Sequence, residues 1–306
     1  MKIVLCEPLG VAAEKVEGLA NELRSEGHEV VLHDKIWASQ EELAARLEGA
    51  TAAIIANSPF GEEVAKNCSL EFLSVAFTGL DHVAMSTLES KGCKIKNCGG
   101  YATESTAELA LSLMLSALRQ TERLGRALRE GGTRAGFAGG ELKGKTVGIV
   151  GTGAIGLRVA ELVKAFGAEV VAYSRTEKPE TGLKFLPLDE LLRVSDVVTL
   201  HIPATPETKG IISAEKITMM KHGAILVNTA RGAVVDNAAL AEALKTGKLG
   251  GAGIDVFETE PPIPTHPLYG CETAVLTPHI GFASREALEM RAEMAFNNVL
   301  EWLKTR

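Results

Sequence analysis

The sequence predicts an α/β protein with two domains, each built on a mostly parallel sheet that helices cover on both faces. The chain has 306 residues, which is more than one hydrophobic core usually organises. Short β-branched runs alternate with amphipathic segments, and this alternation is typical of doubly wound parallel sheets. It occurs in two series, and the glycine-rich loop GGTRAGFAGG at 131–140 precedes the second series. We therefore expect two similar halves.

The first series begins at the N-terminus. Its predicted strands are KIVLC, EVVLH, TAAIIAN and LSVAF, and helices are predicted over 11–25, near 41–47 and before the last strand. The apolar run at the start, within MKIVLCEPLG, is too short for the core of a signal peptide. We therefore expect the first strand to belong to the folded domain.

The second series follows a long helical pattern over 104–129, with Thr103, Ser105 and Thr106 as possible caps. Its predicted strands are TVGIV, EVVAYS, DVVTL, AILVN, GGAGIDV and AVLTP, with helices from Ala154, over 188–193 and from Asn237. A last amphipathic helix is predicted over 284–303, and we expect it to return to the first domain. The predicted domains are 1–99 plus 283–306, and 100–282.

Composition limits the classes of partner. The net charge of −7 and the pI near 5.6 leave no basic surface that would attract nucleic acid or anionic lipid. The most apolar helical stretch, 109–118, is far shorter than the ~20 residues that span a bilayer. Five scattered cysteines favour reduced thiols in a cytoplasmic enzyme, and Cys93 with Cys98 lacks the second pair that a zinc site needs. We expect no metal.

The stretch TVGIVGTGAIG places Gly151, Gly153 and Gly156 between a buried strand and a helix. In this context the G-x-G-x-x-G pattern predicts the phosphate-binding turn of a Rossmann dinucleotide domain. The first glycine permits the tight turn, the second lets a pyrophosphate approach the backbone, and the third lets helix and strand pack closely. The alternative is a tight turn that binds nothing.

The next strand, in VVAYSRTEK, ends about 20 residues past this turn, where an acid usually binds the ribose 2′-hydroxyl. Here the tip carries Ser174, Arg175 and Thr176 and no acid. A guanidinium is well shaped to pair with a 2′-phosphate, so the sequence favours NADP(H) over NAD(H). The alternative is a solvated surface arginine, with Glu177 as a partial substitute for the acid.

Three further segments end predicted strands and each presents one candidate group: Arg231 in VNTARGAVVD, Glu260 in GIDVFETEPP and His279 in LTPHIG. Together with HIPATPETKG at 201–210 and ELKGKTVGIVGTGAIG at 141–156, they resemble the D-isomer-specific 2-hydroxyacid dehydrogenase family. The resemblance covers nearly the whole chain, and several motifs occur in the family's order. It implies two Rossmann-like domains: a flavodoxin-like substrate domain and a doubly wound dinucleotide-binding domain.

The resemblance also implies a role for each group. Arg231 binds the carboxylate and carbonyl of a 2-oxo acid, His279 exchanges the proton, and Glu260 pairs with His279. These roles agree with the chemistry, since an imidazole titrates near neutrality and a guanidinium can bind an oxo acid through two hydrogen bonds. Taken singly, each residue also has a structural alternative: a buried histidine, a glutamate at a turn and a surface ion pair.

In the first domain, VAFTGLDHV at 75–83 resembles the family's substrate loop. The resemblance implies that backbone N–H groups of Thr78 and Gly79 hold the substrate carboxylate, with Tyr101 as a weaker candidate for the pocket wall. The loop departs from the family's pattern at two positions: Phe77 stands where many members have a small residue, and Ala84 where many have Asp.

The resemblance further implies which residues line the coenzyme site and that the protein is a homodimer joined through the coenzyme domain. The lining residues beyond the glycine turn and the Ser174–Thr176 tip are Ala154, Ile155, His201, Pro203, Thr208, Thr229, Ala230, Asp255 and Gly281.

The sequence is compatible with three functions. The first is an NAD(P)-dependent 2-oxo acid reductase acting on glyoxylate, hydroxypyruvate or a related small acid. A second, oxidation of formate or phosphite, requires extra polar pocket residues that the sequence does not offer. The third is a dinucleotide-sensing binding protein of the corepressor type, which needs no turnover. Absorbance assays with a panel of 2-oxo acids distinguish the first from the third.

Overall fold

The structure, a computed structural model, describes residues 1–134 and 136–306. Ala135, in the predicted glycine-rich loop, lies outside the described residues. The chain forms two compact units, one of 1–102 with 282–306 and one of 103–281. Each is built on a parallel sheet, so the predicted α/β class with two parallel-sheet domains is confirmed.

The first unit contains a five-stranded sheet in the order β2-β1-β3-β4-β5, which is the flavodoxin-like order 2-1-3-4-5. Its strands are β1 (Lys2–Leu5), β2 (Glu29–Leu32), β3 (Ala52–Ile55), β4 (Phe72–Val75) and β5 (Lys94–Asn97). Strands β3 and β4 are buried at every residue, because helices cover both faces of a parallel sheet.

The helices of the first unit cover this sheet. They are α1 (Ala13–Ser25), α2 (Gln40–Arg46), α3 (Glu62–Asn67), α4 (Met85–Ser90) and the C-terminal helix, here α11 (Arg285–Lys304). Ser284 begins α11, because its hydroxyl accepts a hydrogen bond from the Ala287 N–H at 3.1 Å. Trp302 of α11 stacks on Phe72 of β4 with ring centroids 5.1 Å apart. The end of the chain thus completes the core of the first unit.

The second unit contains a seven-stranded parallel sheet in the order β12-β11-β10-β9-β6-β7-β8. Its strands are β6 (Thr146–Val150), β7 (Glu169–Tyr173), β8 (Lys184–Phe185), β9 (Val197–Leu200), β10 (Ala224–Asn228), β11 (Leu249–Ile254) and β12 (Ala274–Leu276). The first strand of the unit, β6, lies between β7 and β9, so the direction in which the sheet grows reverses beside β6. In open α/β sheets this reversal marks the ligand crevice.

The helices of the second unit are α5 (Thr103–Arg119), α6 (Thr121–Arg129), α7 (Ala154–Ala165), α8 (Leu188–Val194), α9 (Ala214–Met219) and α10 (Asn237–Lys245). The single helix predicted over 104–129 is therefore wrong. Gln120 adopts a left-handed φ of 47° that separates α5 from α6. No glycine or proline marks this position, and the sequence pattern continues through it.

The sequence did not predict two strands. One consists mostly of polar residues, and the other has only two residues. Strand β5 is KIKN, with alternate residues exposed, and lies at the edge of its sheet. Strand β8 has two residues and lies at the edge of the other sheet. Edge strands bury one face or less, so they lack the apolar run that identifies a central strand.

Two further features concern the environment of the chain. Within 1–134 and 136–306, the helices all fall short of the length and apolar character needed to cross a bilayer. The five cysteines are free thiols, and four of them are buried.

Candidate active site

The predicted coenzyme and catalytic residues of the second unit follow the carboxyl ends of its strands. Because the strands are parallel, these ends lie along one edge of the sheet. The predicted coenzyme residues along this edge are Gly151, Gly153, Ala154, Ile155, Gly156, Ser174, Arg175, Thr176, His201, Pro203, Thr208, Thr229, Ala230, Asp255 and Gly281. The catalytic candidates Arg231, Glu260 and His279 follow β10, β11 and β12.

The three glycines of the turn after β6 serve different purposes. Gly151 has a left-handed φ of 102°, and a Cβ there would lie 2.4 Å from the carbonyl oxygen of His201. A Cβ at Gly156 would lie 2.0 Å from the carbonyl oxygen of Gly151. Nothing lies within 4 Å of the Cβ position of Gly153, which is the N-cap of α7. Two glycines are required by packing, and Gly153 leaves the helix N-terminus open to a ligand.

Two buried hydroxyls beside this turn fit a bound dinucleotide. The Oγ1 atoms of Thr152 and Thr229 are buried and have no hydrogen-bond partner among the residues that the structure describes. A buried hydroxyl without a partner is costly, so a ligand is the natural partner. With the open helix N-terminus, these donors fit a dinucleotide coenzyme.

Two positively charged residues, Arg175 and Lys178, follow strand β7. Arg175 and Thr176 are exposed and Ser174 is half-buried. Sequence analysis missed Lys178, whose Nζ donates a hydrogen bond to the carbonyl oxygen of Thr152 at 3.1 Å. This bond brings a second positive charge to the glycine turn, and only the fold shows it.

His279 and Glu260 form the most direct contact at the site. The His279 Nδ1 lies 2.5 Å from one carboxylate oxygen of Glu260, and the other oxygen accepts a hydrogen bond from the Phe257 N–H at 3.0 Å. Burial alone would raise the pKa of the Glu260 carboxyl. The hydrogen bonds from His279 and Phe257, with the positive charges of His279 and Arg231, outweigh burial and lower that pKa below its ordinary value. Glu260 is therefore an anion near neutral pH.

Asp255 fixes the segment that carries His279. Its buried carboxylate accepts hydrogen bonds from the Thr277 hydroxyl at 2.6 Å and from the N–H groups of Ile280 and Gly281, each at 2.8 Å. Burial raises the pKa of Asp255 despite these bonds. His279 has a left-handed φ of 54°, which costs a non-glycine residue about 1–3 kcal/mol. The resemblance implies that Asp255 also lines the coenzyme site, and that role stays a prediction.

Arg231 lies in a turn that packs against the loop of Glu260. Its Nη1 donates to the Ala230 carbonyl oxygen at 2.8 Å, and its own carbonyl accepts from the side-chain amide of Asn228 at 2.8 Å. A Cβ on the next residue, Gly232, would lie 2.0 Å from the carbonyl carbon of Phe257. Only glycine permits this approach, which sets the Arg231 turn directly on the Glu260 loop.

His201 and Thr208 shape the loop after β9. The His201 ring nitrogen Nε2 lies 3.0 Å from the Thr199 hydroxyl. Although the residue keeps some exposed surface, burial of its ring lowers the pKa to about 3, so the ring is neutral. The Thr208 hydroxyl donates to the Pro203 carbonyl oxygen at 2.6 Å and accepts from the Thr205 N–H at 2.7 Å. These bonds connect Thr208 to the beginning of the same loop and fix its conformation.

The substrate candidates of the first unit follow β4 and β5. Thr78 is exposed and its carbonyl accepts a hydrogen bond from Asn97 Nδ2 at 2.7 Å. Gly79 is partly exposed, and Tyr101 is buried with the Arg291 guanidinium 5.9 Å from its ring centroid. Their roles in binding substrate stay a prediction.

Sequence analysis missed Glu7, which organises the loop after β3. The carboxylate is buried and accepts hydrogen bonds from the N–H groups of Ala56 and Ser58 and from the Ser58 hydroxyl, at 2.7, 3.2 and 2.5 Å. A glutamate directly after an apolar strand was the available signal, because a charge there needs a partner.

The described part of the chain holds no group of three or more His, Cys, Asp or Glu side chains that could bind a metal ion.

Known proteins share this architecture. Residues 111–281, more than half of the chain, match the model of the D-isomer specific 2-hydroxyacid dehydrogenase NAD binding domain. A crystal structure of a protein from Thermus thermophilus is 39% identical, with a TM-score of 0.91 over 100% of this chain and 98% of that one.

Two curated relatives carry enzyme names. D-3-phosphoglycerate dehydrogenase of Archaeoglobus fulgidus is 38% identical over 94% of this chain, and the chain spans 54%, about half, of that longer protein. Glyoxylate reductase of Thermococcus litoralis is 39% identical over 77% of this chain and 74% of its own length. The matched domain and the extent of these similarities show that the chain belongs to the D-isomer specific 2-hydroxyacid dehydrogenase family.

Proposed function

We propose that the protein is an NADP(H)-dependent reductase that converts a small 2-oxo acid into the D-2-hydroxy acid. The observation that carries this proposal is the contact between His279 Nδ1 and the Glu260 carboxylate at 2.5 Å. An imidazole paired with a carboxylate can hold and release a proton at its other nitrogen, as reduction of a carbonyl requires.

The reaction balances with these groups. The reduced nicotinamide coenzyme, when bound, supplies a hydride. The carbonyl carbon of the oxo acid accepts that electron pair, its C=O π bond breaks, and the oxygen takes a proton from His279 Nε2 to become the hydroxyl. Glu260 keeps its negative charge and stabilises the imidazolium before transfer, while its bond to Nδ1 fixes which nitrogen delivers the proton.

Arg231 has the chemistry to bind the substrate. Its guanidinium stays charged at any working pH and can donate two hydrogen bonds to a 2-oxo carboxylate. Its charge also helps to lower the pKa of Glu260, which supports a position near the proposed proton-transfer pair. In this proposal Arg231 orients the carbonyl and offsets the negative charge that develops on its oxygen.

NADP(H) is the proposed coenzyme, with NAD(H) as the alternative. The glycine turn, the open N-terminus of α7 and the buried hydroxyls of Thr152 and Thr229 support dinucleotide binding. The exposed Arg175 and the nearby Lys178 support recognition of a 2′-phosphate, and no acid stands at the tip of β7. In this proposal a preference for NADP(H) favours the reductive direction.

The substrate is proposed to be glyoxylate, hydroxypyruvate or a similar small oxo acid, in keeping with the name of the Thermococcus litoralis relative. We further propose a homodimer in the cytoplasm. The helix α6 supports the dimer, because the protomer buries none of its residues and Leu128 is 71% exposed.

One assay tests the function. The absorbance of NADPH and NADH at 340 nm is followed with a panel of 2-oxo acids, at matched coenzyme concentration. We expect loss of NADPH absorbance with at least one small oxo acid and slower loss of NADH. Tight coenzyme binding without turnover on the whole panel would instead indicate a dinucleotide-sensing protein.

A further inference from the structure

His266 and Glu258 form a second contact between an imidazole and a carboxylate, next to Glu260 along the chain. The His266 Nε2 lies 3.2 Å from a carboxylate oxygen of Glu258, and the His266 Nδ1 accepts a hydrogen bond from the Leu268 N–H at 3.4 Å. Because Nδ1 is an acceptor, Nε2 carries the hydrogen that Glu258 accepts. The His266 side chain is 7% exposed. Neither His266 nor Glu258 has a role in the chemistry proposed above.

The same imidazole also packs against the residue before Glu258. The rings of Phe257 and His266 meet edge to face, with centroids 5.1 Å apart and an interplanar angle of 89°. Such aromatic pairs add stabilisation beyond the burial of their surface. His266 therefore holds both residues of the Phe257–Glu258 dipeptide, one through its ring and one through its nitrogen.

This dipeptide supports two of the proposed active-site groups. The N–H of Phe257 donates to Glu260 at 3.0 Å, and that bond fixes the carboxylate that faces His279. The carbonyl carbon of Phe257 lies where it would be 2.0 Å from a Cβ on Gly232, directly after Arg231. A displacement of the dipeptide would therefore break the hydrogen bond from the Phe257 N–H to Glu260. It would also change the contact between Phe257 and Gly232, and so shift the turn that carries Arg231.

We propose that His266 is a positioning residue that holds Glu260 in place through Phe257 and Glu258. The position requires an aromatic ring, one donor and one acceptor together, and histidine alone combines them in a ring of this size. The inference rests on the proposed function for its kinetic consequence. Its structural consequence, a fixed Glu260 carboxylate, is measurable in the protein without coenzyme.

The test uses two substitutions and a matched control. His266→Phe keeps a ring and removes both nitrogens, whereas His266→Gln keeps a donor near the Nε2 position and removes the ring. The control is His222→Gln, at an exposed histidine in the turn before β10. For each protein the carboxyl carbons of 13C-labelled glutamate are titrated by NMR, and Glu260 is assigned by the signal that Glu260→Gln removes.

The expected result follows from what lowers the pKa of Glu260. The groups that face it are His279, the Phe257 N–H and Arg231. Loss of His266 frees Phe257, so the pKa of Glu260 rises toward its ordinary value in His266→Phe and stays low in His222→Gln. In steady-state assays we expect kcat of His266→Phe to fall roughly tenfold to a hundredfold, by analogy with residues that orient metal ligands through a hydrogen bond, with the Kd of NADPH changed about twofold or less.

The outcomes separate the two proposals. A folded His266→Phe protein with the pKa of Glu260 and kcat unchanged overturns the positioning role. If His266→Phe does not fold, His266→Gln carries the test, and a low, unaltered pKa of Glu260 in that variant is equally decisive against it. If the wild type reduces no oxo acid, the proposed function fails, while the titration still decides the role of His266.

Discussion

The orientation of His279 is set by two acidic residues that act in different ways. Glu260 binds the ring at Nδ1. The Asp255 carboxylate accepts the Thr277 hydroxyl before the ring and the backbone N–H groups of Ile280 and Gly281 after it. The carbonyl of Asp255 accepts the His279 N–H at 2.7 Å. This dense bonding explains why a histidine persists in the left-handed region, where L side chains are strained. The ring is therefore held before any ligand binds.

The lowered pKa of Glu260 predicts a dependence of stability on pH. A carboxyl whose folded pKa is depressed contributes stability above its unfolded pKa, ordinarily 4.5, and loses that contribution as pH falls to the folded pKa. Below pH 4.5 we expect the Tm of the wild type to fall more steeply than that of Glu260→Gln, as measured by calorimetry. An exposed glutamate, Glu141→Gln, serves as the control and should follow the wild type. Parallel curves for Glu260→Gln and wild type would contradict the assignment.

Arg175 is expected to set the coenzyme preference. In Arg175→Ala, the Kd of NADPH should rise roughly tenfold or more, the effect of losing a charge-assisted hydrogen bond, while the Kd of NADH stays nearly constant. Fluorescence titration measures both. The control is Arg193→Ala, an exposed arginine on α8 in the same unit. An unchanged ratio of the two affinities in Arg175→Ala would eliminate Arg175 as the 2′-phosphate ligand.

At the scale of elements, the turn between β6 and α7 is the part of the site that sequence predicts best. Gly151 and Gly156 are needed because a Cβ there would lie 2.4 Å and 2.0 Å from a backbone carbonyl oxygen, and no other residue meets that requirement. The spacing of these glycines therefore predicts the turn from the sequence alone. The glycines have distinct roles. Packing requires Gly151 and Gly156, whereas no atom of the described residues contacts the Cβ position of Gly153.

Alanine at two of these glycines should separate folding from coenzyme binding. Gly156→Ala forces a Cβ to 2.0 Å from a backbone oxygen, so we expect a lower Tm, equivalent to a loss of about 1–3 kcal/mol. Gly153→Ala meets nothing within 4 Å, so its Tm should stay within about 1 °C of wild type while NADPH binds roughly tenfold more weakly. Thermal melts and coenzyme titrations check both. A Gly153→Ala protein that binds NADPH normally would contradict the phosphate-binding role.

Other features of the fold could not be predicted from the sequence. The break between α5 and α6 falls at Gln120, which neither a glycine nor a proline marks, and the edge strands β5 and β8 lack apolar runs. The contacts of Lys178 and Asp255 depend on which loops meet at the sheet edge. Sequence identified residue types suited to the chemistry. Only folding determines whether a carboxylate binds a ligand or a neighbouring loop.

Each of the two units is built on its own parallel sheet, and family membership agrees with the order of motifs along the chain. The second unit carries Arg231, Glu260 and His279 on three consecutive strand ends. Parallel strands bring every carboxyl end to one edge, so residues far apart in sequence can act together there, as the proposed reaction requires.

The exposed face of α6 predicts the oligomeric state. Sedimentation should give a mass twice the 32.4 kDa of one chain, because Leu128 is exposed on a helix of which the protomer buries no residue, and such a surface favours self-association. Leu128→Asp should shift the protein toward the monomer, whereas Ile36→Asp, at an equally apolar exposed position of the first unit, should not. A monomeric wild type at micromolar concentration would contradict the proposed homodimer.

The central claim, that the His279 imidazole transfers the proton to the reduced carbonyl, is tested most directly by His279→Ala. Turnover of NADPH with the best oxo acid from the panel is compared with the Kd of NADPH for the same protein. We predict that kcat falls about 100-fold to 10,000-fold while the Kd changes less than about twofold. Turnover within a few-fold of the wild type, in a variant that binds NADPH normally, would contradict the account.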